Sequence, residues 1–281
     1  MKTLTGKETR DVLATHGLDR PRGAGFAFRD RARNTFYDWH AHDYHQLVHA
    51  IDGPLLFETE RGRHFLPSGR AAWIPAGLRH RTLIIGTDGS SLYFAPDVVE
   101  DEGRRARIIA TTPLMREMLL HARRWPLGAS DSDPLAASFF RTLGLMLREW
   151  LEMELPLFLP GSADAAIARA MDYAVADPGA ATYERAIAAA ALSERSFRRR
   201  FREETGMVWR DWLVQARMLL AMDLLESGSR VTEAAAAAGY LSMSAFAKAF
   251  YALTGETPVG FRQRAAQDIK SRAHDIGGRR R

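Results

Sequence analysis

Three histidines and a ridge of arginines are the residues of this chain whose types and spacing could carry chemistry. The histidines are His40 and His42 in Trp39-His40-Ala41-His42-Asp43-Tyr44-His45-Gln46, and His80 after the turn Pro75-Ala76-Gly77. On a single strand of period two, His40, His42, Tyr44 and Gln46 project to one face. Neutral imidazoles suit zinc, nickel, iron or copper, or hydrogen bonding to an organic effector. The arginines lie in Leu192-Ser193-Glu194-Arg195-Ser196-Phe197-Arg198-Arg199-Arg200-Phe201-Arg202. At helical periodicity Phe197 and Phe201 share a face, and Arg195, Arg198, Arg199 and Arg202 fall within roughly 100° on the other side. Guanidinium forks of that kind pair bidentately with guanine edges and phosphates.

The elements that must hold these groups are legible around them. Ser193 can cap the arginine helix, and Gly206 can end it in the left-handed conformation. The segment recurs 49 residues on (242 − 193 = 49) as Ser242-Met243-Ser244-Ala245-Phe246-Ala247-Lys248-Ala249-Phe250, closed by Thr254-Gly255. Each copy follows a short alanine-rich helix, Tyr183–Ala190 and Thr232–Ala238. A helix, tight turn and second helix repeated in one chain predicts two helix-turn-helix units. Between them Val208–Glu226 places Trp209, Trp212, Leu213, Ala216, Leu219 and Leu220 at helical spacing, as a connecting helix would.

Residues 164–266 resemble the DNA-binding domain of the AraC family of transcription regulators. Leu192-Ser193, Phe197, Phe201, Gly206, Trp212, Ala216-Arg217, Ala236, Gly239-Tyr240, Ser244, Phe246, Phe250, Gly255, Thr257-Pro258 and Phe261-Arg262 carry the likeness. It implies two recognition helices in successive major grooves, roughly 34 Å apart. Carried over, the base-contacting positions are Arg195, Arg198 and Arg199 in the first unit, and Met243, Ser244, Ala247 and Lys248 in the second; Ser193 and Arg202 complete the expected DNA-binding set. The arginine-bearing unit is expected to supply most of the specificity and the other mainly to position the protein. Ala191 stands where the family has glycine, so a tighter or shifted first turn is expected.

Residues 26–96 alternate short apolar runs with turn punctuation, as an all-β sandwich or barrel does. The two histidine motifs resemble those of the cupin barrel, which implies a divalent metal on His40, His42 and His80. Gln46 replaces the glutamate of metal-binding cupins, so two further readings stay open: an organic effector pocket that includes Tyr44 and Gln46, and plain packing. His45 and His49, of opposite parity, are expected outside the barrel; His16, His64 and His121 read as incidental.

Thr111-Thr112-Pro113 predicts a helix start, and Leu135–Met153 a helix with the apolar stripe Phe139, Leu143, Met146, Leu147, Trp150 and Leu151. The stripe either meets a second subunit, as the family resemblance implies, or packs back on the barrel. The expected fold is thus α+β. A cupin-like sensor barrel occupies 1–110, dimerisation helices 111–153, a proline-containing linker 154–163, two helix-turn-helix units 164–266 and a basic tail 267–281.

The 281 residues carry a net charge of +5 and no cysteine, which favours polyanionic partners and excludes disulfides and thiolate sites. No run reaches the ~18 apolar residues of a membrane span, and the start lacks an apolar export core, so a cytoplasmic protein is expected. The function expected is DNA-binding transcription regulation by a homodimer, governed by a small molecule or metal, with RNA polymerase as a partner if it activates. A metal-dependent cupin enzyme fused to a DNA-binding domain, and a constitutive DNA binder whose barrel only dimerises, are the alternatives. The paired helical units have no catalytic use, and no further acid/base pair accompanies the histidines.

Overall fold

The computed structural model describes residues 2–15, 17–18, 21–30, 35–51, 55–67, 69–84, 89–101 and 103–265. The turn at Asp52-Gly53-Pro54, His16 and the basic tail lie outside them. The chain divides into two units, residues 1–59 with 65–155, and residues 60–64 with 156–281.

The first unit opens with β1 (Lys2–Leu4) and α1 (Gly6–Thr15), neither foreseen from the sequence, and continues through a run of short strands. These are β2 (Gly25–Asp30), β3 (Thr35–His40), β4 (His45–Ala50), β5 (Leu55–Thr59), β6 (Gly62–Leu66), β7 (Ala71–Ile74), β8 (His80–Ile84), β9 (Gly89–Phe94) and β10 (Arg107–Ile109). Helices α2 (Pro113–Ala122), α3 (Ala129–Ser132) and α4 (Pro134–Trp150) follow, then the short strand β11 (Glu154–Leu155). One sheet contains the order β1-β3-β8-β5 and the other runs β11-β10-β7-β4-β9-β2.

Parity decides what each face of the second sheet buries. Tyr44, just before β4, joins Phe26, Tyr93 and Leu18 in one apolar cluster. Leu47, Trp73, Leu92 and Phe94 point the other way and are covered by Met115 and Leu119 of α2 and by Phe140, Leu143, Leu147 and Trp150 of α4. Each such side chain, once covered, contributes roughly 1.5–3 kcal/mol. The stripe of α4 therefore packs inward on its own sheet, with Phe139 and Met146 only partly buried. Leu114, Leu135 and Leu145 stay 58%, 59% and 67% exposed on α2 and α4. Helix starts follow local chemistry: Thr112 accepts from the Met115 amide ahead of Pro113, and Asp133 from the Leu135 amide ahead of Pro134.

His45 and His49 do lie on the outer face of their sheet, yet both are buried there. His45 stacks on Trp73, with ring centroids 4.9 Å apart, and its Nδ1 accepts from the Ala76 amide. His49 has neither ring nitrogen partnered; burial, then the positive fields of Arg116 and Arg123, lowers its pKa to about 4. His121 is exposed and lies edge-on to Trp125.

The second unit holds β12 (Phe158–Pro160), α5 (Ala165–Ala176), α6 (Tyr183–Ala190), α7 (Glu194–Thr205), α8 (Trp209–Glu226), α9 (Val231–Ala237) and α10 (Met243–Thr254). The segment expected to be a plain linker thus contains two short strands, β11 and β12. Within this unit β12 pairs antiparallel with residues 62–64, and His64 stacks on Phe158 at 4.5 Å.

Candidate nucleic-acid interface and sensor cluster

The two recognition helices are built alike. Ser193 accepts from the Ser196 amide at the start of α7, and Ser242 from the Ala245 amide at the start of α10. Phe197, Phe201, Phe246 and Phe250 are wholly buried beneath them. Each helix ends on a glycine in the left-handed region, Gly206 at φ 71° and Gly255 at φ 73°. The preceding threonine hydroxyl donates back to a helix carbonyl, Thr205 to Phe201 O at 2.6 Å and Thr254 to Phe250 O at 2.8 Å.

The outward faces differ. On α7, Arg195, Arg198, Arg199 and Arg202 are exposed and line one concave surface with Ser193. Arg198 is tied to Glu194 and Arg199 to Glu203, both as i,i+4 pairs. These pairs are well exposed, so water and salt loosen them and a phosphate or guanine can displace the carboxylate. On α10, Met243, Ser244 and Lys248 are exposed and Ala247 is half-buried. Every DNA-contacting position expected from the sequence therefore lies on one of these two helices or its cap, and the two sets of phenylalanines account for which way they face.

The turns ahead of the recognition helices also differ. Ala191 holds φ 54°, a left-handed conformation that costs a side chain about 1–2 kcal/mol. Its counterpart Gly239 holds φ 78°, and one more residue separates it from the capping serine of α10.

Contacts not foreseen from the sequence fix the two helix-turn-helix units to each other. A Cβ built on Gly179 would lie 2.1 Å from Ala237 O, and one on Gly239 would lie 2.5 Å from Gly179 O. Backbone meets backbone there, and any side chain would force the units apart. Arg217, on the connecting helix α8, donates to the carbonyls of Pro178, Gly179 and Ala181. Helix α8 packs on α7, α9 and α10. The segment leading into this unit is strapped down in the same way. Gln215 donates to Pro156 O and Phe158 O, and the Trp212 indole to Pro160 O. Glu204, on the back of α7, accepts from Ser162 Oγ and from the amides of Ala163 and Asp164. The Ser162 hydroxyl, first among these donors, holds the Glu204 carboxyl below the usual range.

In the first unit the histidines converge, but not by the period of one strand. His40 ends β3, His42 lies in the connection between the sheets, and Gln46 is on β4 of the other sheet. His40 pairs with His80 across β3 and β8, past a register shift after Tyr37 that re-aims the ring. The ring centroids of His40 and His80 are 4.2 Å apart, those of His42 and His80 5.2 Å, and those of His40 and His42 6.2 Å.

Each ring is anchored through Nδ1 to a backbone carbonyl: His40 to Asp38 O at 2.7 Å, His42 to Tyr44 O at 2.7 Å and His80 to Leu78 O at 2.8 Å. A carbonyl only accepts, so Nδ1 carries the hydrogen, and a neutral ring then keeps its Nε2 lone pair. Burial lowers the pKa of His40 to about 4 and depresses that of His42. The Nε2 of His42 lies 3.1 Å from Gln46 Oε1, and Gln46 Nε2 lies 2.9 Å from Ser91 Oγ. With His42 neutral, the consistent network turns the amide over: its NH2 donates to His42 Nε2, and its oxygen accepts from Ser91. Gln46 thereby occupies the nitrogen that a metal would need. Among the described residues, no three His, Cys, Asp or Glu side chains form a group that could hold a metal ion. Tyr44 lines the adjoining apolar cluster, its hydroxyl accepting from the Arg22 amide.

Residues 187–264 match the model of a helix-turn-helix domain, and residues 22–155 that of the AraC-like ligand binding domain. The chain belongs to the AraC family of transcription regulators. It is a DNA-binding regulator with a ligand-binding domain ahead of its helix-turn-helix region. The HTH-type transcriptional regulator NimR of Escherichia coli (strain K12) is 25% identical over 222 residues, 78% of this chain and 80% of that protein. The DNA-binding domain of AdpA, solved in complex with a target DNA, is 32% identical over 35% of this chain and 91% of its own, with a TM-score of 0.33. ToxT from Vibrio cholerae O395, bound to (E)-4-(8-methylnaphthalen-1-yl)but-3-enoic acid, is 10% identical over 87% of this chain and 100% of its own, with a TM-score of 0.37. Among the described residues, no helix is long and apolar enough to cross a membrane.

Proposed function

We propose that this AraC-family regulator lays α7 and α10 into two successive major grooves, under the control of a small effector bound at His40, His42, His80, Tyr44 and Gln46. The contact points on DNA are Ser193, Arg195, Arg198, Arg199 and Arg202 on the first helix, and Met243, Ser244, Ala247 and Lys248 on the second. The observation that carries this reading is the bare backbone contact of Gly179 with Ala237 and Gly239, reinforced by Arg217. A pair of reading heads tied that closely accepts one spacing between its half-sites.

The test is selection of an operator from a randomised duplex library, followed by insertion of five base pairs between the two contacted segments. Half a turn puts the second segment on the opposite side of the duplex. Affinity is expected to fall to that of random competitor; equal binding of both spacings would overturn the reading. Measurements at stated salt are essential for a chain of net charge +5.

The effector acts by binding two conformations with different affinity, since only a differential shifts an equilibrium. The protein works without catalysis, in the cytoplasm, and as a homodimer through the exposed Leu114, Leu135 and Leu145 of α2 and α4. Where it activates, RNA polymerase is its second partner. A zinc, nickel, iron or copper ion on the three imidazoles is the second reading of the sensor cluster, favoured by the Nδ1 anchors that orient all three rings. It requires His42 to give up Gln46 and the three rings to turn toward a common point, since as they stand they form no group that could hold an ion. Metal analysis of untagged protein after reconstitution separates the two: less than about a tenth of an equivalent per chain retires the ion, with the effector reading judged separately by shifts in the DNA footprint.

A further inference from the structure

The connecting helix begins with two stacked tryptophans, Trp209 and Trp212, whose ring centroids are 5.5 Å apart. Their indole N–H groups fare differently. That of Trp212 donates to Pro160 O at 2.8 Å, whereas that of Trp209 is buried with no acceptor. A buried donor without a partner is costly, and native structures hold few of them. Trp209 also lines a pocket of about 410 Å³ beneath the first recognition helix, with Val208 and Leu213 as apolar wall and Tyr183, Arg198 and Arg210 around it. That volume is in the range of small-molecule sites. Arg198 is held there by the Tyr183 hydroxyl and Glu194, and Arg210 by Asp211; both carboxylates are more than half exposed and easily displaced.

We propose that this pocket binds a small aromatic carboxylate. Its ring lies against Val208, Trp209 and Leu213, and its oxygens take the orphaned indole N–H and the guanidinium groups of Arg198 and Arg210. A rim carrying two guanidinium cations and an indole donor selects an anionic acceptor, and the apolar wall selects a ring. Arg198 also belongs to the exposed arginine ridge, so an occupant draws one arginine off the DNA-facing surface. That consequence rests on the DNA contacts proposed above; the site itself does not.

The test titrates full-length protein, without DNA, with 2-naphthoate by calorimetry, and with naphthalene-2-carboxamide as the uncharged isostere. Saturable one-site binding of the carboxylate is expected, at least tenfold tighter than the amide, because hydrogen bonds to a charged group are roughly twice as strong as neutral ones. Trp209→Phe keeps the ring stack and removes the orphaned donor. It is expected to weaken 2-naphthoate about tenfold without lowering the thermal midpoint of the free protein, an outcome that a merely structural tryptophan would not give. Arg210→Gln, which is not among the DNA contacts proposed, is expected to weaken 2-naphthoate about fivefold and to leave operator affinity unchanged. No binding by the wild type, equal binding of amide and carboxylate, or unchanged binding in Arg210→Gln overturns the proposal, including when Trp209→Phe is destabilised. If 2-naphthoate binds as expected but operator affinity does not fall, the site stands and the DNA role of Arg198 fails.

Discussion

The two helix-turn-helix units share a skeleton and differ in almost everything that faces outward. Serine cap, paired phenylalanines, threonine back-bond and left-handed glycine recur at matching positions. The outward positions hold four arginines on α7 against one lysine, with methionine, serine and alanine, on α10. The repeated residues are those that packing and backbone geometry dictate; the divergent ones sit on the outward face, where the core sets no constraint. On the DNA contacts proposed above, this contrast equips one unit to discriminate and the other to hold position, although both are seated equally well.

The comparison breaks most sharply at the shared core. Phe201→Ala and Phe250→Ala each remove a fully buried ring and are expected to cost about 3–5 kcal/mol. Urea unfolding should report similar losses for both variants. A loss confined to Phe201→Ala would mean that the second unit is not held by its aromatic pair. A smaller and more informative effect lies on the outer faces. Arg199→Ala should forfeit about 1–3 kcal/mol of preference at one operator position. Lys248→Ala should instead weaken all duplexes alike and reduce the salt slope by about one. Competition binding against single-base operator variants reads both, and equal loss of preference from the two would remove the proposed division of labour.

Much of the second unit was legible in the sequence because its cues are local. Caps, terminators and a 3.6-residue apolar period leave their marks within a dozen positions, and Tyr183–Ala190 appears as read. The sensor cluster was legible in its members but not in its construction. His40, His42 and Gln46 seem by spacing to share one strand, whereas the chain crosses from one sheet to the other between them. Nothing local marks that crossing, or the amide of Gln46 closing on His42. Parity placed His45 and His49 on the outer face correctly; their burial depends on groups distant in the chain, Trp73 and Ala76 for His45 and the surroundings of Arg116 and Arg123 for His49, which parity does not register. Exposure of the α4 stripe was undecidable for the same reason. Glu204 and Gln215 read as ordinary polar helix positions because their partners, mostly backbone groups, lie about 40 and 60 residues upstream.

The finest distinction between the units sits in their turns. Ala191 and Gly239 both follow a short alanine-rich helix in the left-handed region, but only glycine enters it without strain. Ala191 is exposed, so removing its methyl leaves no cavity. Ala191→Gly relieves about 1–2 kcal/mol of strain and gives back somewhat under 1 kcal/mol through the added freedom of the unfolded chain. The net expectation is a gain of roughly 0.5–1 kcal/mol, seen as a small rise in the thermal midpoint. The reverse change at the other turn, Gly239→Ala, faces both the strain and the carbonyl of Gly179 at 2.5 Å, so it should destabilise by more than its counterpart stabilises. A stabilised Gly239→Ala would show that the close approach of the two units is not required, and with it the single permitted half-site spacing would lose its physical basis.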